Sequence, residues 1–141
     1  MNGMLKSSLV TRVSAVATAA TSAVNGSVID MQNFNSALFV ASFGTSATDN
    51  GIKVQQGDAS NLSDAEDIEG SSTLLDGTQT SAVIEIVNPA KRYLRVVAVR
   101  GTSTTLESAW AVQYGPNLKP VTSTNAALVA KTLISPEAGT A

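Results

Sequence analysis

With 141 residues, the chain is long enough for one domain with a real core and too short for two comfortable ones. Charged residues make up only 14% and the formal net charge is −2; this argues against a binder of nucleic-acid phosphates and favours a surface covered by neighbours over that of a free monomer. The chain has neither Cys nor His, which excludes disulfides, thiolate chemistry and a Ser-His-Asp triad, and removes the usual ligands of structural zinc.

Residues 1–26 form a low-complexity lead of Ser, Thr, Ala and Val. Lys6 and Arg12 precede a small-residue run, as in a secretory signal, but Ser and Thr throughout deny it the Leu-rich character of an h-region. The run is also far short of the ~20 apolar residues of a membrane span. Thr and Val alternating with small residues predict an extended arm, although the plentiful Ala leaves a helix open. Such an arm adds a strand to a sheet, its own or a neighbour's, through main-chain hydrogen bonds. Leu9, Val10, Thr11, Val13 and Val16 are the candidate interface residues, and Leu5 to Val24 is expected to pair between subunits.

Gly26 and Ser27 mark a boundary, so residues 27–120 are read as the main domain and 121–141 as a tail. Val28 to Met31 predicts a short strand and Asn33 to Ser36 a turn. Ala37 to Phe43 is a strong strand, with Phe39, Ala41 and Phe43 on one face and Leu38 and Val40 on the other. Two apolar faces mean burial in a sandwich, or a second face that docks onto a partner. A polar loop from Gly44 to Gly51 leads into alternation at Ile52 to Gln56.

Asp58 to Asp76 is the most acidic stretch, carrying Asp58, Asp64, Glu66, Asp67, Glu69 and Asp76. Calcium is one reading of so many carboxylates, but the spacing does not fit an EF-hand, and a solvated, flexible loop is the expectation. Glu66 with Glu69 also offers an acid–base pair of the glycosidase kind, with scarcely an aromatic nearby to stack a sugar.

Three further strands are predicted over 82–87, 92–100 and 108–114, punctuated by turn formers. In the first, Ile84 and Ile86 oppose Val83, Glu85 and Val87. In the second, Leu94, Val96 and Ala98 oppose Tyr93, Arg95, Val97 and Val99. In the third, Trp110, Val112 and Tyr114 oppose Ala109, Ala111 and Gln113. One face of this last strand is packed core and the other is shallow or pressed against something; Trp110 and Tyr114 are expected in the core, because large aromatics on an alternating face usually bury. Arg92, Arg95 and Arg100 form either a positive patch or solvated charges at strand ends, the second being favoured. In the tail, Ala126 to Ile134 reads as a short helix capped by Thr124 or Asn125, or as one more strand, ended by Pro136. The fold class is therefore all-β: an antiparallel β-sandwich, with an extended N-terminal arm.

The block Asn88-Pro89-Ala90-Lys91-Arg92-Tyr93-Leu94-Arg95-Val96-Val97 is followed by Tyr114-Gly115-Pro116-Asn117-Leu118-Lys119-Pro120 and by the ending Ile134 to Ala141. As a set these resemble a family of small virion proteins of tailed bacteriophages, whose members with assigned roles are capsid decoration, or cement, proteins. The resemblance covers residues 28–141 and carries no catalytic residue, so no functional site transfers with it. It implies a jelly-roll-like sandwich on the outer capsid surface, made in the host bacterial cytoplasm and bound to the major capsid protein and to copies of itself as a homotrimer. No enzymatic activity, cofactor, metal, nucleic acid or membrane partner is expected. A head–tail connector, a tail protein and a carbohydrate-binding sandwich are the alternatives.

Overall fold

The computed structural model describes residues 3–122, 128–133 and 138. After a 3-10 turn at Met4–Lys6, the strands are β1 (Ser8–Ser14), β2 (Ala17–Ala20), β3 (Val24–Asn25), β4 (Ile29–Asp30), β5 (Phe34–Phe43) and β6 (Asn50–Gly57). Then follow β7 (Glu66–Asp67), β8 (Thr73–Leu74), β9 (Ser81–Val87), β10 (Tyr93–Arg100) and β11 (Thr104–Pro116). All pairings are antiparallel. Sheet 1 runs in the order β1-β11-β5-β9, with β2 continuing along β11. Sheet 2 runs β3-β10-β6-β7, with β4 also on β10 and β8 also on β6. The chain is thus a β-sandwich.

Alternation explains how the two sheets meet. Phe39, Phe43 and Leu106 point inward from sheet 1, and Ile52, Val54, Leu94 and Val96 from sheet 2, all at most 3% exposed. Each such burial contributes about 1.5–3 kcal/mol. Between the large residues of sheet 1 sit Ala37, Ala41, Ala109 and Ala111, which are equally buried. Small side chains at these positions let the bulky ones interdigitate across the layer.

The arm is seated on its own chain. β1 and β2 lie end to end along β11, and β3 crosses to β10 of the other sheet. A bulge between Arg12 and Ser14 turns Val13 into the core. Gly26 and Ser27 then donate to the carbonyls of Val96 and Val13, at 2.8 and 2.7 Å. Little of residues 15–23 is buried, so a polar clasp holds them instead. The Arg100 guanidinium, 4% exposed, donates to the carbonyls of Thr18, Ser22 and Thr104 at 2.7, 2.7 and 3.0 Å. Strand-end arginines were expected in solvent; this one is inside because the arm supplies carbonyl acceptors that only a folded chain brings together.

The acidic stretch is less free than its composition predicts. β7 and β8 both pair with β6, and the Asp64 carboxylate accepts from the backbone N–H groups of Asp58 and Ala59. Those bonds hold the Asp64 carboxyl below its usual range. In the tail, residues 128–133 have no regular secondary structure, while Thr124, Asn125 and Pro136 lie outside the described residues.

Candidate functional site

Side chains directly opposite one another on paired strands share a face, so register fixes what sheet 1 shows to solvent. One row across the sheet is Val10, Val112, Leu38 and Glu85; the next is Arg12, Trp110, Val40 and Val83. Beside the first lies Tyr114, Ser36 and Val87. All of these point away from the core. Val83 and Val87 are 52% and 59% exposed, the central apolar residues are partly exposed, and Ser36 is 3% exposed.

Trp110 and Tyr114 therefore sit opposite to expectation. The inward face of β11 is the one with Ala109, Ala111 and Gln113. Phe39, Phe43 and Leu106 already fill the interior, and an indole in place of Ala109 or Ala111 would force the sheets apart. Gln113 is accommodated inside because its amide donates to the Asp30 carbonyl at 2.8 Å. Two small residues flanked by a glutamine that has a backbone acceptor were the available signal.

Polar groups on this face are satisfied locally, with one exception. Trp110 Nε1 donates to Ser108 Oγ at 3.3 Å, and Ser42 and Ser81 bond each other at 2.9 Å. The Tyr114 hydroxyl donates to Glu85 Oε1, a bond that pushes the phenol pKa up because ionising it would place two negative charges together. Arg12 Nε, by contrast, is cut off from solvent and has no hydrogen-bond partner among the described residues. The result is a flat apolar floor of Val10, Val112, Leu38, Trp110, Val40 and Val83, with a cation on the β1 side and an anion on the β9 side.

Of the interface residues read from the arm, Val10 belongs to this floor. Leu9 packs against the core from the inner side, with Thr11 on that same inner side opposite Ala111. Val13 is buried in the core, and Val16 is 63% exposed between β1 and β2. The three arginines do not form a patch: Arg92 makes a two-pronged pair with Asp30 at 2.8 and 2.7 Å, and Arg95 donates to Gln55 at 2.8 Å. The pairing with Arg92 holds the Asp30 carboxyl below its usual range. Glu66 is exposed on β7 and accepts from Gln56 at 3.3 Å. Among the described residues no group of three acidic side chains gathers as a cation site.

The two internal segments that carry the phage resemblance meet at one end of the sandwich, on the stretch Asn33 to Asn35. Asn88, at φ 50°, donates its N–H to the Asn35 carbonyl at 2.7 Å. Asn117 donates to the Asn33 carbonyl at 2.8 Å, and Leu118 to Asn33 Oδ1 at 2.9 Å. Gly115 has φ 64°, and a Cβ there would collide with Asn35, so glycine is required twice over. These residues build turns, and a shallow cleft between them is lined by Met31, Phe34, Pro89 and Arg92.

No family model matches the chain, and no curated protein matches it. Among solved structures it is similar to the SPBc2 prophage-derived protein YomS, at 18% identity and a TM-score of 0.47, over 75% of this chain and 91% of that one.

Proposed function

We propose that the chain is a structural virion protein that binds the outer surface of a tailed-phage capsid and stabilises the shell by bridging capsid subunits. What supports this reading is the bare outer face of sheet 1. A fold that completes its core and still leaves Val10, Val40, Val83, Trp110 and Val112 on one flat surface is stable alone but gains from a cover. The low charge fraction agrees, since assembly components replace hydration with neighbours. So do the motifs at the Asn33–Asn35 end, whose hydrogen-bonded turns present a fixed surface at one end of the sandwich that a lattice can meet. Each contact can be weak, because copies joined together grip several capsid subunits at once and the effective concentration multiplies their affinities. Binding the assembled shell and not its free subunits then stabilises the shell by mass action.

The test is reconstitution. Shells lacking the protein are mixed with the purified chain, pelleted, and heated. The expected result is saturable rebinding and a higher disruption temperature; shells that neither retain the chain nor gain heat resistance would reject the cement role. Many copies spread over the shell, as opposed to a few at one vertex, separate it from a connector or tail component.

A further inference from the structure

We infer that the bare face of sheet 1 is covered by the same face of a second copy, in a two-fold, face-to-face pair. This rests on the reading of the chain as an assembly component and names the partner of that face. The face is charged asymmetrically in a way that suits itself. Its cation, Arg12, is on edge strand β1; its anion, Glu85, is on edge strand β9. A two-fold axis running along the strands, in the plane between two such sheets, lays β1 of each copy over β9 of the other. β11 then faces β5, so Trp110 of each copy stands over the partner's Val40, and Val112 over the partner's Leu38. Arg12 stands over the partner's Val83, and the partner's Glu85 is two residues further on, about 7 Å along the strand. A guanidinium spans that offset, and symmetry makes the ion pair twice.

Arg12 is partly exposed at the edge of this face, so a face-to-face copy can bring a carboxylate to the open side of its guanidinium. A head-to-tail contact of the kind that closes a trimer sets the floor against some other surface, and nothing in it brings cation and anion together twice. Size sets the strength. Four strands about 4.8 Å apart and three rows of about 7 Å give a footprint on the order of 400 Å² per copy. A pair therefore removes on the order of 800 Å² from water, below the ~1,200–2,000 Å² of tight standard interfaces. The pair is reversible in solution, and becomes persistent where copies are held at high local concentration. It also leaves the Asn33–Asn35 end and its loops free for the shell.

Trp110 is the only tryptophan, so intrinsic fluorescence reads this face directly. The full chain is followed by sedimentation and by fluorescence over a concentration series. The expected result is a monomer–dimer equilibrium, with Trp110 emission moving to the blue and losing acrylamide accessibility as dimer forms. Val112→Glu should abolish the dimer, with circular dichroism confirming the fold. Arg12→Glu and Glu85→Arg should each weaken it at least tenfold, and the double exchange should recover most of the loss. A fold-impaired Val112→Glu is replaced by Val40→Lys on the neighbouring strand. A strict monomer, a trimer, or a dimer indifferent to these changes overturns the inference. The shell assay separates the two readings: a monomer that rebinds shells removes only the pair, and a dimer that ignores shells removes only the virion role.

Discussion

The two outer faces of the sandwich are built from the same alternating pattern and end in opposite states. On sheet 2 the outward residues are Lys53 and Gln55 on β6 and Tyr93, Arg95, Val97 and Val99 on β10, and Lys53, Gln55 and Arg95 are tied into a polar net. Lys53 bonds Asp67 at 2.7 Å, Gln55 bonds the same carboxylate at 2.8 Å, and Arg95 bonds Gln55 at 2.8 Å. Those two bonds to Asp67 hold its carboxyl below the usual range. On sheet 1 the rows around Trp110 and Leu38 present valines, the leucine and the tryptophan, with Arg12 and Glu85 on the edge strands, while Glu107 and a group of serines lie beyond them toward the β2 end. One face is tied up by internal hydrogen bonds; the other, on the reading proposed above, is the one a second molecule covers. Both back onto the same buried interior, so the difference lies at the surface and not in the core.

Substitutions that act on the shared interior should therefore not distinguish the faces. Phe39→Ala removes a fully buried ring at the centre of sheet 1 and should cost about 3–5 kcal/mol in denaturant unfolding, with both sheets lost together. Next in size is Arg100→Ala, which deletes the clasp and leaves the Thr18, Ser22 and Thr104 carbonyls without their charged donor. A loss of about 2–4 kcal/mol is expected, with amide exchange rising first in residues 17–25. A loss of protection that begins in β9 instead would show the clasp to be incidental.

The comparison itself is sharpened by a matched pair of surface changes. Trp110→Ser and Arg95→Ser should each alter stability by no more than about 1 kcal/mol. Only the first should reduce shell retention and self-association; equal effects would mean the faces do not differ in use. The smallest effect is on pH dependence. The Asp76 carboxyl is held down at about 2, chiefly by hydrogen bonds from the Thr78 hydroxyl and N–H and from Gln79. Asp30 and Asp67 are lowered as well. A depressed folded-state pKa contributes stability above the unfolded value and loses it as pH falls through the folded one. Stability should thus decline as pH falls from about 4 toward 2, more gently in high salt, because these groups are exposed and screened. A Tm that is flat across that window would show the hydrogen bonds to be absent in solution.

Much of the fold was legible because period-two alternation survives where one face is buried. Phe39, Ala41 and Phe43, or Leu94, Val96 and Ala98, declare their side without help. β11 did not, because both of its faces are apolar and size pointed the wrong way: the interior there needed alanine, and the tryptophan was left on the outer face. Arg100 was illegible for a different reason. Its acceptors, at Thr18 and Ser22, are some 80 residues away in sequence, and no local pattern announces a carbonyl cage. Likewise β7 and β8 are two residues each and exist only because β6 offers an edge. The candidate face was half visible, in the doubly apolar β5, and its charged corners emerged only from register.

The arm has one more consequence, for how the molecule is made. Its strands are synthesised well before their seats on β10 and β11, with Leu9 waiting for Gln113. At ordinary ribosomal rates of 5–20 residues per second, the leading end stays unclaimed for about 5–20 s. Only a chain synthesised as far as β11 can seat the arm, so a product terminated before that strand carries it as a loose, sticky thread.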